Sequence, residues 1–85
     1  MSFPIRVRYF ASLRESLGAE QVCQVAEGAT VADLRDQLIA SSPAHAQALS
    51  RQRAVRCSVN QRLCGEDERL SASAEVAFFP PVTGG

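Results

Sequence analysis

Lysine is absent from this 85-residue chain, and its nine basic residues are all arginines. Without an ε-amine, the chain offers no attachment point for isopeptide-linked copies of itself. Nine acidic residues balance the arginines, so the formal net charge is zero. A neutral chain lacks the broad electrostatic attraction through which proteins bind nucleic acids or anionic membranes. We therefore expect neither a nucleic acid nor a membrane among its partners.

Long apolar runs are absent as well. No segment approaches the ~20 consecutive apolar residues of a membrane-spanning helix, or the charged start and apolar core of a signal peptide. The chain is therefore expected to be cytoplasmic. A chain of this length should form one domain that buries roughly 60–65% of its unfolded surface, which leaves room for one sheet and a few helices.

Side chains with catalytic potential are few. His45 is the only histidine and has no second histidine or cysteine nearby in sequence, so we interpret it as a solvated surface residue. Cys23, Cys57 and Cys64 show neither a CxxC motif nor zinc-site spacing. We interpret them as buried packing residues, with a redox or sulfur-handling role as the alternative. Acidic residues 66–68 are expected to form a solvated loop.

The sequence also shows no nucleophile–base pair, metal cluster or phosphate-binding loop. We therefore expect that this chain binds no metal and no cofactor of its own. Any step that requires ATP is assigned to a partner protein.

Apolar periodicity predicts an alternation of strands and helices. Ile5, Val7 and Tyr9 alternate with outward residues, which is typical of a half-buried strand. The same approach predicts the remaining elements in this order: a short helix over residues 11–17 ended by Gly18, a strand over 20–25, the main helix over 31–40, a short helix from Pro43, strands over 54–59 and 62–64 joined by a turn at Asn60-Gln61, and a last strand over 75–79.

The main helix has a clear start and a clear buried side. Thr30 and Asp33 resemble a capping box in which Asp replaces the preferred Glu. Apolar residues then follow at helical spacing and form the stripe that we expect to pack on the sheet: Val31, Leu34 and Leu38. Arg35 and Asp36 lie off this stripe.

This order of elements favours an α+β domain over residues 1–79, followed by an extended tail over residues 80–85. A β-grasp arrangement fits best, with a mixed sheet packed on one main helix and the first and last strands parallel at its centre. Phe10 and Phe79 would then emerge on the outer face, and Leu63 could join them in an apolar patch. The predicted rim is arginine-rich and comprises Arg6, Arg8, Arg56 and Arg62.

An exposed apolar patch of this kind is typical of a partner-binding surface. The alternative is that one or both aromatic side chains fold back over the sheet and are covered.

The tail is the part of the chain best suited to chemistry. Pro80 and Pro81 lack backbone donors and favour an extended conformation, so they should end the last strand and direct the tail outward. Gly84 and Gly85 have no side chain to bury, which suits a flexible Gly-Gly end that passes through a channel too narrow for a Cβ. Residues 82–85 can reach on the order of 13 Å when extended. The group delivered there is the terminal carboxylate.

These residues resemble the sulfur-carrier small subunit of molybdopterin synthase, in the ubiquitin-like β-grasp superfamily. The resemblance covers the whole chain and is carried by the following segments: Ile5-Arg6-Val7, Tyr9-Phe10-Ala11, Arg14-Glu15, Thr30-Val31, Leu34-Arg35, Val59-Asn60-Gln61 and residues 75–85. The last segment is the most specific, because Phe-Phe-Pro-Pro-Val-Thr-Gly-Gly is more similar to this family than to its relatives in the thiamin pathway.

The resemblance implies that Gly85 is the reactive residue and Gly84 its neighbour in the active channel. An E1-like adenylating enzyme would use ATP to form an acyl adenylate at Gly85, and a sulfur donor would convert it to a thiocarboxylate. That group would give its sulfur to cyclic pyranopterin monophosphate within the large subunit of molybdopterin synthase, in a heterotetramer. The chain would not be catalytic alone. The implied partner-binding residues are Phe10, Arg14, Leu63, Phe79, Pro80, Pro81, Val82 and Thr83.

Three alternatives stay open at this point. The chain resembles sulfur carriers of other pathways, such as thiamin synthesis. It could instead be a ubiquitin-like protein modifier, joined through Gly85 to lysines of its targets. It could also be a plain interaction domain that uses only the apolar patch.

Overall fold

The computed structural model of the chain describes residues 1–81. The predicted site residues Val82, Thr83, Gly84 and Gly85 lie outside the described residues. The elements follow one another as β1 (Ser2–Tyr9), α1 (Ala11–Leu17), β2 (Glu20–Ala26), α2 (Val31–Ser41), α3 (Pro43–Ala48), β3 (Arg56–Val59), β4 (Arg62–Cys64) and β5 (Glu75–Phe79). Most boundaries agree with the predicted ones to within two residues.

The five strands form one mixed sheet in the order β2-β1-β5-β3-β4. β1 and β5 are parallel neighbours at the centre, whereas every other pairing is antiparallel. Parallel neighbours require a long crossover connection. Here the connection from β1 to β5 contains β2, the three helices and the β3–β4 hairpin. The predicted α+β fold with a parallel central pair is therefore confirmed.

The core lies between the inner face of the sheet and α2. The alternation predicted for β1 is confirmed, because Ile5, Val7 and Tyr9 are all buried. β5 adds Val76 and Phe78 from the same face. The predicted stripe of α2 is also confirmed, and it comprises Val31, Leu34 and Leu38.

Local signals fix several element ends. The Thr30 Oγ1 atom accepts a hydrogen bond from Asp33 N at 3.3 Å, and Asp33 Oδ2 accepts one from Thr30 N at 3.0 Å, which confirms the capping box. Asn60 and Gln61 have φ values of 51° and 68°, as a tight two-residue hairpin requires. Gly18 has a positive φ of 91° but a ψ of 176°, so α1 ends in a more extended conformation than the predicted left-handed one.

Arg35 differs most from its predicted position. The interpretation that placed it off the buried stripe is wrong, because the residue is only 3% exposed. Its guanidinium donates to three backbone carbonyl oxygens: Leu49 O at 2.8 Å, Ser50 O at 2.7 Å and Arg53 O at 3.1 Å. A buried guanidinium is tolerated when all its donors find acceptors. Arg35 therefore anchors the loop between α3 and β3 to α2.

Glu66 completes this buried anchor. Its carboxylate accepts from Arg35 Nη1 at 2.6 Å and also pairs with Arg51, whose Nη2 atom lies 2.8 Å from Asp36 Oδ1. The prediction of a solvated acidic loop at residues 66–68 is therefore wrong for Glu66, whereas Asp67 and Glu68 are exposed. This pairing could not be predicted from local patterns, because Glu66 lies 31 positions after Arg35.

We expect acid to weaken this anchor. Burial acts to raise the pKa of Glu66, but hydrogen bonds from Arg51 and Arg35 outweigh it and hold the pKa below its ordinary value. A carboxylate with a lowered pKa in the folded state stabilises the fold above its unfolded pKa of about 4.3, and this stabilisation is lost as the pH falls through the folded pKa. Urea unfolding from pH 7 downward should therefore show a steeper loss of stability in the wild type than in Glu66→Gln.

Glu68→Gln is the matched control, since this side chain is exposed and lies outside the anchor. It should leave the pH dependence of the unfolding free energy unchanged. Equal slopes for the wild type and Glu66→Gln would contradict the assignment.

Candidate functional site

The candidate site lies where the two central strands end. Tyr9 pairs with Phe78 in the parallel register, and the backbone N–H of Phe10 donates to Phe78 O at 3.2 Å. Because β1 and β5 run in the same direction, their carboxyl ends lie side by side at the same end of the sheet. Phe10 and Phe79 therefore lie beside each other, and Pro80 begins the tail from that point.

The strand register sets the rest of the outer face. One row of directly opposite residues crosses four strands of this face: Arg8 on β1, Ala77 on β5, Ser58 on β3 and Leu63 on β4. Phe79 lies opposite Arg56 in the next row toward the tail. We call Phe10, Leu63, Ala77 and Phe79 the outer-face patch. The pairing of distant strands brings its members together beside the base of the tail.

The members of this patch differ in accessibility. Phe10 and Leu63 are 38% and 61% exposed, which agrees with the predicted outward orientation. Phe79 is only half-buried and Ala77 is largely covered, because β5 is flanked by a strand on each side. Phe79 therefore lies between the two predicted alternatives, as a residue partly covered by its neighbours.

Charged side chains border the patch on the β1 side. The Arg8 guanidinium lies 5.2 Å from the centroid of the Phe10 ring, within cation–π range. Glu75 lies 3.7 Å from Arg8 and 3.8 Å from Arg6, while Arg6 also lies 3.4 Å from Glu20. The arginines of β1 are thus partly neutralised by Glu75 and Glu20.

Arg62 does not belong to this border, contrary to the prediction. It lies opposite Val59, which packs against the core, and so it belongs to the other face from Leu63. In a short edge strand, the hairpin register determines on which face of the sheet a side chain lies. A strand of three residues is too short for its apolar pattern to predict that register.

Arg14 is exposed on α1 near Phe10. Its backbone N–H donates to Phe10 O at 3.4 Å, so the residue lies one helical turn from the aromatic side of the patch. Its predicted contribution to partner binding is compatible with this position and stays a prediction.

His45 is not the solvated residue that was predicted. It is half-buried, with Nδ1 at 2.7 Å from Ser42 Oγ and Nε2 at 2.8 Å from Gln21 Oε1. Gln21 Oε1 also accepts from the Tyr9 hydroxyl at 2.7 Å. Both ring nitrogens are therefore engaged, Nδ1 with the N-cap residue of α3 and Nε2 with β2, which leaves the imidazole a structural role. Sequence reasoning missed these contacts because Gln21 lies 24 positions away.

Within residues 1–81, histidine, cysteine and carboxylate side chains form no group of three or more that could hold a metal ion. In the same part of the chain, none of the helices has the length and apolar character needed to span a bilayer.

A mixed sheet with a central parallel pair, packed on one main helix, defines a ubiquitin-like β-grasp protein, here with an apolar patch beside the base of its C-terminal tail. The ThiS family model matches residues 7–85, and the chain belongs to this family.

Relatives with established names agree with this membership. The chain is 42% identical over 81 residues to the molybdopterin synthase sulfur carrier subunit of Escherichia coli K12, covering 95% of this chain and 99% of the relative. It is 36% identical over 84 residues to the protein of the same name in Chlamydomonas reinhardtii, covering 95% and 98%. The crystal structure of small archaeal modifier protein 1 from Haloferax volcanii superposes with a TM-score of 0.76 at 28% identity, covering 94% and 99%.

Proposed function

We propose that this chain is a sulfur-carrier subunit of molybdopterin synthase, with Gly85 as the residue that carries sulfur. The observation that supports this most strongly is the 42% identity to the Escherichia coli sulfur carrier subunit over nearly the full length of both chains. The fold supplies a compatible geometry, because the strand that precedes the tail is held between two neighbours at the centre of the sheet.

The chemistry of this proposal takes place at the terminal carboxylate. A carboxylate is a poor acyl donor, so an E1-like partner would first use ATP to join Gly85 to AMP. A sulfur donor would then displace AMP and leave a thiocarboxylate, whose sulfur is a strong nucleophile toward cyclic pyranopterin monophosphate. In this scheme ATP binds to the activating enzyme, and Gly84 keeps the channel around the terminus free of a side chain.

The outer-face patch is the proposed docking surface for the large subunit. The exposed apolar members of the patch, Phe10 and Leu63, would anchor the domain while the tail enters the partner's active site. The bordering arginines Arg8 and Arg56 suit a partner surface with acidic side chains around an apolar centre. The domain would thereby hold the base of the tail, and the partner would hold its tip.

Leu63→Asp should weaken binding to the large subunit by about tenfold or more, because it places a charge in the apolar centre of the interface. Its stability should change little, since the side chain is 61% exposed. Isothermal titration calorimetry with the large subunit measures the effect. Val22→Asp is the matched control, because Val22 is 67% exposed on β2, opposite Arg6 and away from the tail.

Loss of binding in both variants would show that added negative charge, rather than the patch, is responsible. Unchanged binding in Leu63→Asp would remove this residue from the docking surface.

Intact-mass measurement tests the carrier function directly. When the chain is co-produced with an E1-like activating enzyme and a sulfur donor, we expect replacement of one carboxylate oxygen by sulfur at Gly85. An unmodified carboxylate under ample sulfur would contradict the proposal. Co-elution with a large synthase subunit, compared with candidate partners from thiamin synthesis, distinguishes the two sulfur-transfer pathways.

A second candidate function is protein modification, which is favoured by the similarity to small archaeal modifier protein 1. In that case Gly85 would form an isopeptide bond with a lysine of another protein. The lack of lysine in this chain permits single attachment and excludes chains of linked copies. Peptides that carry a C-terminal remnant of this chain on a target lysine would support the modifier, and their absence alongside a thiocarboxylate would support the carrier.

A further inference from the structure

Two cysteines face each other across the β3–β4 hairpin, apart from the tail and the outer-face patch. Cys57 and Cys64 are direct partners in the antiparallel register, so their side chains lie on the same face of the sheet. The Cys57 thiol donates to Cys64 O at 3.4 Å. Both are free thiols. Of the three cysteines predicted to be buried packing residues, Cys57 is buried in the core, whereas Cys23 and Cys64 are only partly buried against it.

The hydrogen-bonding pattern sets the spacing of this pair. Asn60 N donates to Glu75 O, so the N–H groups of alternate residues, Asn60 and Ser58, point toward β5. The N–H of Cys57 must then point toward β4, which makes Cys57 and Cys64 a hydrogen-bonded pair. Such pairs have Cα atoms about 5.5 Å apart. This Cα separation lies within the range of roughly 4.4–6.8 Å that a disulfide spans. The Cβ atoms of such a pair, about 5 Å apart, must come about 1 Å closer for the bond to form, which requires a small movement of the edge strand β4.

The two thiols differ in accessibility. Cys57 is 3% exposed, whereas Cys64 is half-buried on the edge strand β4. Burial, followed by the proximity of Cys64, raises the pKa of Cys57 to about 12. Cys57 is therefore protonated and shielded at neutral pH, and Cys64 is the thiol that a soluble reagent meets first.

We propose that Cys57 and Cys64 form a reversible oxidation site, at which a peroxide converts the two thiols into one intramolecular disulfide. The proposal goes beyond sulfur transfer and does not depend on it. The sulfur atom of Cys64 attacks the peroxide, the O–O bond breaks, and one water leaves as a sulfenic acid forms. The Cys57 thiol then attacks that sulfur, its proton passes to the departing hydroxyl group, the S–O bond breaks, and a second water leaves. The two cysteines lose two electrons, which reduce the peroxide.

The disulfide would join β3 to β4, the shortest strand of the sheet and one of its two edges. β4 carries Leu63 directly before Cys64, so oxidation would restrain a strand that contributes to the outer-face patch. Closing a short loop reduces the freedom of the unfolded chain, and the melting temperature of the oxidised protein should rise by roughly 5–10 °C.

The test uses the full chain treated with hydrogen peroxide under native conditions, quenched and alkylated with iodoacetamide. We expect peptide mapping to show a Cys57–Cys64 disulfide, with the loss of two hydrogen atoms in the intact mass and full reversal by dithiothreitol. Cys23→Ser is the matched control, because Cys23 lies on β2 at the opposite edge of the sheet and should not participate.

Cys64→Ser and Cys57→Ala should each abolish the disulfide, and two variants are used in case the buried substitution impairs folding. Three outcomes would overturn the proposal. They are stable sulfinic acid at Cys64 with Cys57 still reduced, a disulfide that involves Cys23, and a Cys57–Cys64 bond that forms only after denaturation.

Discussion

Extension of the chain by one alanine after Gly85 is expected to lower sulfur transfer by about 100-fold or more, the scale of loss that accompanies a reacting group displaced by an ångström or more. In the proposed scheme, the added residue moves the terminal carboxylate from Gly85 to the new alanine and places a Cβ in the partner channel that Gly84 and Gly85 would leave clear. Replacement of Gly84 by Leu should have a similar effect. Both changes come after the last strand in the sequence, so we expect the free energy of unfolding to stay within about 0.5 kcal/mol of the wild type.

The assay combines thiocarboxylate formation, read from intact mass, with molybdopterin formation by the reconstituted synthase. The matched control adds the same alanine before Met1, whose side chain is fully exposed at the other end of the chain. That control should retain full transfer. Full activity in the C-terminal extension would contradict the narrow-channel interpretation, and it would leave the family membership intact.

Replacement of Arg35 by Ala is expected to destabilise the fold by about 3–5 kcal/mol, as the removal of one member of a buried ion pair does. The change leaves the carbonyl oxygens of Leu49 and Arg53 without the guanidinium that donates to them, whereas Ser50 O keeps the backbone N–H of Arg53 as a donor. It also leaves Glu66 without one of its two arginines. Since β3 follows this loop and pairs with β5, the strand that leads into the tail loses support as well.

Urea unfolding followed by circular dichroism measures this loss. Arg53→Ala is the matched control, because it removes an arginine from the same loop but keeps the backbone carbonyl that accepts from Arg35. It should cost less than about 0.5 kcal/mol. Arg35→Lys should fall in between, since an ammonium keeps the charge but lacks the planar fork of donors. A cost below about 1 kcal/mol for Arg35→Ala would contradict the anchoring role.

Local features of the chain were predictable because their causes are local. The alternation in β1 follows from the opposite directions of successive side chains in a strand. The start of α2 follows from a capping box within four residues, and the hairpin follows from a turn residue that tolerates positive φ. The proposal that Gly85 is the reactive residue also required no folding, because a terminal carboxylate and the absence of a side chain are properties of the linear chain.

Contacts between distant segments were not predictable in this way. Arg35 is buried because three carbonyl groups from residues 49–53 converge on it, and no periodicity in α2 reports where those carbonyls lie. His45 and Glu66 acquired their partners for the same reason. The face of Arg62 depends on a hairpin register in which a shift of one residue would reverse it.

The candidate site combines both kinds of information. Its proposed reactive end is inferred from the last residues, since their chemistry does not depend on what surrounds them. Its proposed docking surface depends on the parallel pairing of β1 and β5, which places Phe10 beside Phe79 although they are far apart in sequence. Apolar periodicity predicts on which face of the sheet a residue lies, whereas the pairing of strands determines which residues lie beside it. Strand pairing accounts for three features of this protein: the partial burial of Phe79, the position of Leu63 in the same row as Ala77, and the placement of Cys57 opposite Cys64.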